Sequence, residues 1–373
     1  MHQHSPLSFV NNLGAKLATK SRHVCFFFGA GVARACGLPD ITQLEIRILE
    51  KLGQEDQQAL QVELTGRNLE QALSRLRRIS ALIDDDQTID NLTASRAKEV
   101  DAAVCDAITA VLDTNAANLV PVRNFAAWVK RADYHLPVEI FTVNYDLLVE
   151  TGLEAARVPY FDGFVGALAA PFQIDLVEGG SESNSDWIPA NFARLWKLHG
   201  SVNWAWRDRE IVRLGQAVNG AAAAIYPSDM KYDESRRVPF VVLQDRFRRA
   251  LNHRESLTLV SGYSFSDFDL NELIFDAAGR HERSEFVVFF YDDIPDRLAE
   301  PAMTTPNIQV IAPTEAIIGG VRGTWKPPEQ TSLPNLWGNG KLLLSDFSNL
   351  AAYLSRSISG NNERADDVGT STT

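Results

Sequence analysis

The chain has 373 residues, a formal net charge of -12, 45% hydrophobic residues and 23% charged residues. That balance predicts an ordinary soluble core and argues against independent binding to a nucleic-acid backbone, which calls for a basic surface. Cys25, Cys36 and Cys105 form no CxxC pair, which argues against a disulfide framework or a zinc ribbon. No segment reaches the ~20 apolar residues of a membrane span. Met1-His2-Gln3-His4 lacks the basic and apolar regions of a signal peptide, so a cytoplasmic, reducing location is expected.

In chain order, the first strong element is His23 to Phe28, a mostly apolar run stopped by glycine. Such a run suits a strand buried on both faces, and Cys25 within it reads as a small buried residue. Ile41, Leu44, Ile48 and Leu52 then recur at helical spacing, with Asp40 or Thr42 as the cap. Further helices are predicted through Leu69 to Ile79, Ala94 to Leu112 and Phe125 to Lys130. The stretch 41–131 is too long for a simple crossover and reads as a helical insertion after the first strand, laid over the sheet.

Val138 to Val143 is the next strand, followed by a helix from Leu147 to Ala156. Pro159 to Pro189, with Gly179-Gly180 and a Ser/Asn/Asp cluster, reads as a surface loop or part of a lid. Strand Arg194 to Leu198 leads into His199. Helix Val241 to Asn252 precedes strand Ser256 to Val260, and a helix from Asp267 to about Ala278 has Gly279 placed to stop it. Glu285 to Tyr291 and Ile308 to Ile311 are strand candidates, and Phe347, Leu350, Ala351 and Leu354 fit a closing helix. The expected fold is α/β, Rossmann-like, with a mostly parallel sheet and helices on both faces. One domain is expected over 1–358, with a disordered tail over 359–373.

Candidate chemistry gathers where strands end, which is where α/β folds hold ligands. Gly29-Ala30-Gly31 follows a buried strand, so small residues would let backbone N–H groups approach a pyrophosphate, or would simply make a tight turn. Asn144 and Asp146 each suit a helix cap; as functional groups, Asn144 would align a ribose or a water and Asp146 would meet a carboxamide. His199 is a structural histidine or a proton acceptor near neutral pH. Ser264, on the Gly262-Tyr263-Ser264 turn, would bind phosphate or cap the following helix. Trp187, Trp196, Trp204 and Trp206 pack by default, with Trp204 a candidate cover for the site.

Gly29-Ala30-Gly31, Gly37-Leu38-Pro39-Asp40, Thr142-Val143-Asn144-Tyr145-Asp146, Lys197-Leu198-His199-Gly200 and Gly262-Tyr263-Ser264 follow one another in the order of a known set of motifs. Together they resemble the sirtuin fold family, in particular its bacterial sirtuin-like NADase branch, over roughly Val24 to Asn271. The resemblance implies NAD as substrate and Asn144 with His199 as the catalytic pair. It also implies Gly29, Ala30, Gly31, Asp40, Thr142, Asp146, Gly262 and Ser264 as residues around the dinucleotide.

Departures shape the expectation. The four-cysteine zinc module of deacetylase sirtuins has no counterpart, so no zinc and no other metal is expected. Ala33 stands where serine is usual, Ile41-Thr42 where Phe-Arg is usual, and Tyr145 where isoleucine is usual. These differences favour plain NAD hydrolysis to nicotinamide and ADP-ribose. A protein deacylase, an ADP-ribosyltransferase and a non-catalytic NAD or ADP-ribose sensor are the alternatives. The resemblance further implies antiphage defence by NAD depletion, a homo-oligomer, and a separate sensor subunit such as a HerA-like ATPase or a short Argonaute.

Overall fold

A computed structural model describes residues 2–179, 191–207, 210–215, 238–329 and 332–357. The predicted tail, Trp187 and the end of the 159–189 stretch lie outside the described residues. The chain opens with β1 (Gln3–His4) and α1 (Pro6–Leu17), followed by β2 (Val24–Phe28) and the short α2 (Ala30–Ala35). Next come α3 (Ile41–Lys51), α4 (Gln54–Leu64), α5 (Leu69–Leu82), α6 (Ala94–Val111) and α7 (Val120–Arg131). Then follow β3 (Glu139–Thr142), α8 (Leu148–Ala155), β4 (Tyr160–Phe161), β5 (Ala169–Pro171), α9 (Ile174–Glu178) and β6 (Ala193–Lys197). The middle of the chain forms β7 (Trp204–Arg207), β8 (Glu210–Leu214), α10 (Phe240–Leu251), β9 (Leu257–Ser261) and α11 (Phe268–Arg280). It closes with β10 (Glu285–Phe289), α12 (Asp296–Thr304), β11 (Ile308–Ile311), β12 (Glu315–Ile318), β13 (Val321–Trp325), β14 (Trp337–Gly338), β15 (Lys341–Leu342) and α13 (Phe347–Ser357).

The main sheet runs β1-β13-β12-β11-β10-β9-β2-β3-β6-β4. Its strands pair in parallel from β11 through to β4; β12 runs antiparallel to both its neighbours. Alternation along β2 shows why the run is apolar throughout. Val24, Phe26 and Phe28 enter a core cluster with residues of α1, α7, α8 and α13, whereas Cys25 and Phe27 enter a second cluster with α10, α11 and α12. Both faces are therefore covered by helices, and every β2 side chain is fully buried. The expected α/β architecture is the observed one.

Two features decide where a site can lie. From β2 the chain proceeds outward to β3 and β6, then returns to the other side of β2 with β9, β10 and β11. The strand order reverses between β2 and β9, and such a switch point opens a crevice at the carboxyl ends of the strands. The four motif-bearing strands, β9, β2, β3 and β6, are consecutive neighbours. Their last residues align, Ser261 with Phe28, Phe28 with Thr142 and Thr142 with Lys197.

Several expectations need adjustment. β1 precedes the apolar strand, so the insertion follows the second strand in chain order. The inserted layer is α3 to α6, whose core of Leu44, Ile48, Leu73, Leu76, Val104 and Ile108 also takes in Val202, with Tyr145 and Leu147 packed against it. It therefore sits on the loops after β3 and β6 rather than on the sheet face. The last predicted helix of that stretch, α7, instead buries Val122, Phe125 and Trp128 in the sheet's own core. Gly279 does not stop α11, which runs to Arg280 with His281 as its C-cap. The described part of 159–189 is ordered into β4, β5 and α9 rather than being a plain loop.

Candidate active site

Glycine makes the junction between the first and last motifs possible. The Gly29 N–H donates to the Ser261 carbonyl at 3.1 Å, and the Gly31 N–H donates to the Gly262 carbonyl at 2.9 Å. A Cβ on Gly29 would stand 2.5 Å from the Gly262 oxygen, and one on Gly31 would stand 2.5 Å from the Gly262 Cα. Gly262 itself holds φ at +68°, in the left-handed region. These glycines thus let two strand-end turns touch backbone to backbone across the switch point. The amides of Gly29 and Gly31 serve that contact, as the tight-turn alternative of the two sequence readings has it. α2 is only six residues long, so its start adds little dipole.

The second motif is tied to the first. Thr142 ends β3, and its hydroxyl accepts the Asn144 N–H at 3.0 Å; the Asn144 amide Nδ2 donates to the Gly29 carbonyl at 3.1 Å. Asn144 is buried and caps nothing. Asp146 stands one residue before Leu147, the N-cap of α8, and its Oδ1 accepts the Leu148 N–H at 3.0 Å in a turn that leads into the helix. Burial raises the Asp146 carboxyl above the ordinary range, against the opposing pull of Lys197. Asp40 takes the capping place at α3, accepting the Gln43 N–H at 2.9 Å.

Lys197, quoted in the motif without a role, turns out to be a strut. Its buried Nζ donates to the Asp146 carbonyl and, at 3.4 Å, to the Tyr145 carbonyl, while pairing with Glu150 Oε1 at 3.0 Å. A cation at the end of β6 thereby fixes the loop that carries Asn144. The Tyr145 phenol donates to Glu70 Oε1 at 2.7 Å, so α5 of the insertion is tied to the same loop.

His199 lies two residues past Lys197, as Asn144 lies two residues past Thr142, and those two predecessors are register partners. The catalytic candidates therefore leave neighbouring strands at the same level. His199 is buried, and its Nε2 stands 3.4 Å from Oδ2 of Asp267. Asp267 is also the N-cap of α11, with Oδ1 accepting the N–H groups of Asp269 at 3.0 Å and Leu270 at 3.2 Å. The cap itself was readable from an aspartate before an apolar-periodic segment; its pairing with a histidine 68 positions earlier in the chain was not. Ser264 does not cap α11. Its exposed hydroxyl meets the Ser266 hydroxyl at 3.0 Å, and its carbonyl accepts from Arg297 at 2.8 Å.

Trp204 is core rather than cover, packed against Phe164 and Phe240 with ring centroids at 4.9 and 6.0 Å. Two cavities, of about 170 and 890 Å³, are lined by residues around α1 and by residues such as Glu255 and Glu282, none of them a candidate site residue. Among the described residues, no group of three or more His, Cys, Asp or Glu side chains could hold a metal ion, and no helix is long and apolar enough to cross a membrane.

No curated protein matches the chain. A solved structure described as "Structural Basis for the Mechanism and Regulation of Sir2 Enzymes" is similar at 13% identity, with a TM-score of 0.40, covering 94% of this chain and 96% of that one. Another, described as "Crystal structure of a Sir2 homolog-NAD complex", is similar at 12% identity with a TM-score of 0.49, covering 96% of each chain. At such scores neither adds to what the sheet order and layers establish. The family model described as "SIR2-like domain" matches residues 138–311, a stretch that begins just before β3 and includes Asn144, His199, Gly262 and Asp267. Gly29 and Gly31 precede that stretch, yet they pack directly on Gly262 within it. Over residues 138–311, somewhat less than half of the chain, the sequence is similar to the SIR2-like domain.

Proposed function

We propose that this chain is an NAD glycohydrolase, with Asn144 and His199 as its catalytic residues. The observation that carries the reading is the alignment of four motif-bearing strands at a switch point, with Asn144 and His199 leaving adjacent strands at one level. The SIR2-like domain supports NAD as the substrate. Among SIR2-type activities, hydrolysis is favoured by the three-cysteine sequence, which cannot supply a four-cysteine zinc module.

The chemistry asks little in the way of acid catalysis. Nicotinamide leaves through a cationic nitrogen and departs neutral, so no proton has to be delivered to it. The barrier lies in an oxocarbenium-like ribose, the same electronic problem as glycoside hydrolysis. In this reading Asn144 aligns water and ribose, with its side chain already anchored to the Gly29 carbonyl. Water attacks C1', the C1'–N bond breaks, and His199 accepts the proton that the water loses. The products are nicotinamide and ADP-ribose, or a cyclic product if an adenine nitrogen attacks in place of water. Asp40, Thr142, Asp146 and Ser264 are proposed to line the dinucleotide, and Gly29, Ala30, Gly31 and Gly262 to shape the floor on which it lies.

We further propose that the protein is an effector of antiphage defence, acting as a homo-oligomer restrained or triggered by a separate sensor subunit, such as a HerA-like ATPase or a short Argonaute. An α3–α6 layer seated on the loops after β3 and β6 supports this, because a partner touching that layer would reach Tyr145 through Glu70. The test is release of nicotinamide from NAD with and without an acetylated peptide, on the chain alone and coexpressed with neighbouring-gene products. Peptide-independent release is expected. Strictly peptide-dependent release would make it a deacylase, and binding without release in every condition would make it a sensor.

A further inference from the structure

We propose that Asp267 is the positioning residue for His199, one carboxylate divided between a helix cap and an imidazole. The proposal rests on the reading of His199 as the proton acceptor. The two oxygens of Asp267 have separate tasks. Oδ1 accepts two backbone N–H groups at the start of α11, from Asp269 and Leu270, and so holds the carboxyl group in one orientation. Oδ2 is left facing His199 Nε2 at 3.4 Å, a separation that apo sites commonly show before substrate tightens them.

The cap is itself anchored to the sheet. The single Tyr263 O–H lies 3.0 Å from Asn271 Oδ1 and 3.3 Å from the Asp267 carbonyl and is shared between these two acceptors, and the Asn271 amide donates to the Phe265 carbonyl at 2.9 Å. The Tyr263 ring packs on Phe27 of β2, centroid to centroid at 4.6 Å. The turn after β9 thus presents Oδ2 from a fixed frame. A carboxylate oxygen accepts and does not donate, so of the two neutral tautomers it favours the one with its proton on Nε2. The lone pair that takes a proton is then on Nδ1, and the imidazolium formed is stabilised by the adjacent negative charge.

The division of labour makes asparagine a discriminating substitution. In Asp267→Asn the side-chain oxygen is required at the cap by two N–H donors, which leaves the NH₂ group facing His199. A donor there requires a lone pair on Nε2 and places the ring proton on Nδ1, the wrong tautomer for a base at that nitrogen. The experiment compares full-length wild type, Asp267→Asn and Asp267→Ser, each labelled with ¹⁵N-histidine. Ring tautomers are read by NMR, with the His199 signals assigned through His199→Gln, and nicotinamide release and thermal melting are measured beside them. Asparagine and serine both cap helices well, so unchanged melting is expected. The ring in Asp267→Asn should change from Nε2–H to Nδ1–H, and kcat should fall about 10²–10⁴-fold in both variants with little change in KM. An unchanged tautomer in Asp267→Asn, or full kcat in either variant, would overturn the proposal. A wild type that releases no nicotinamide would instead sink the hydrolase reading, and the tautomer measurement would still decide whether Asp267 orients the ring.

Discussion

Glu139 sets the scale for how much one buried carboxylate supports this fold. It opens β3 with almost no exposure and accepts from Arg246 Nε at 3.0 Å and Trp196 Nε1 at 2.8 Å on Oε2. Oε1 accepts from Arg246 Nη2 and meets His23 Nε2 at 3.1 Å, with Arg194 Nη1 at 3.7 Å. In Glu139→Gln, whichever oxygen becomes the amide NH₂ confronts donors, and two buried guanidinium groups lose their counterion. Removing one partner of a buried ion pair costs about 3–5 kcal/mol, against a typical total stability of about 5–15 kcal/mol. The pH dependence has a definite sign. Burial alone would raise the Glu139 carboxyl, but Arg246, His23 and Arg194 hold it far below the ordinary range. A depressed folded-state value contributes stability that is present above the unfolded carboxylate range and is lost as pH falls through the folded value. Urea denaturation of wild type and Glu139→Gln from neutral to acid pH is the assay. The variant should lose about 3–5 kcal/mol near neutrality, and the difference should narrow with acid. A loss below about 1 kcal/mol at neutral pH, or a gap that widens as pH falls, would refute the reasoning. Glu139 lies five residues, at most roughly 16 Å of extended chain, before Asn144, so residual nicotinamide release should follow the folded fraction.

Two further outcomes follow from the site. Gly262→Ala would place a Cβ 2.6 Å from the Val32 nitrogen and 2.7 Å from the Gly31 Cα at a φ of +68°, so urea denaturation should show a loss of at least about 2 kcal/mol; a wild-type midpoint would show that the switch-point junction has slack. Asp146 is the opposite case to Glu139, because burial raises its folded-state value and its charge costs stability at neutral pH. Asp146→Asn keeps the acceptor for Leu148, so it should denature at higher urea than wild type at neutral pH, with the gain shrinking in acid, while NAD affinity by calorimetry falls; a destabilised variant with normal affinity would contradict both halves.

What the sequence made legible and what it hid differ for physical reasons. β2 is readable because both faces of a central parallel strand are buried, which leaves an apolar run ended by glycine, whereas β3 and β6 keep shorter apolar centres, Ile140-Phe141 and Leu195-Trp196, beside the buried charges Glu139, Arg194 and Lys197. α1 carries an equally local signal, a Ser5 cap, Pro6 at the first turn and Phe9, Leu13 and Leu17 on one face. The β12–β13 hairpin was also open to reading, since Gly319-Gly320 between two short runs is a two-residue turn requiring positive φ at both positions. Gly279 misled because a glycine near a helix end resembles a stop, whereas here its position is simply helical. Gly29 and Gly31 are open to two readings, a ligand cradle and a tight turn. A pattern of small residues reports close backbone approach, but not whether a ligand or another turn approaches. The partners of the site were hidden altogether. Asp267 at His199, Lys197 beneath the Asn144 loop and Glu70 at Tyr145 are pairings made by topology, between residues that no local spacing connects.

The claim that Asn144 and His199 cleave NAD is met most directly by one comparison. Wild type, Asn144→Ala and His199→Ala are each coexpressed with the neighbouring-gene products, purified, and assayed for nicotinamide released from NAD without any peptide. Wild type should release nicotinamide. His199→Ala should fall by about 10²–10⁴-fold, the usual loss on removing a general base, and Asn144→Ala should fall with it while both retain the wild-type melting profile. Undiminished release from either folded variant would contradict the catalytic assignment, and a wild type that leaves NAD intact in every assembly would contradict the function itself.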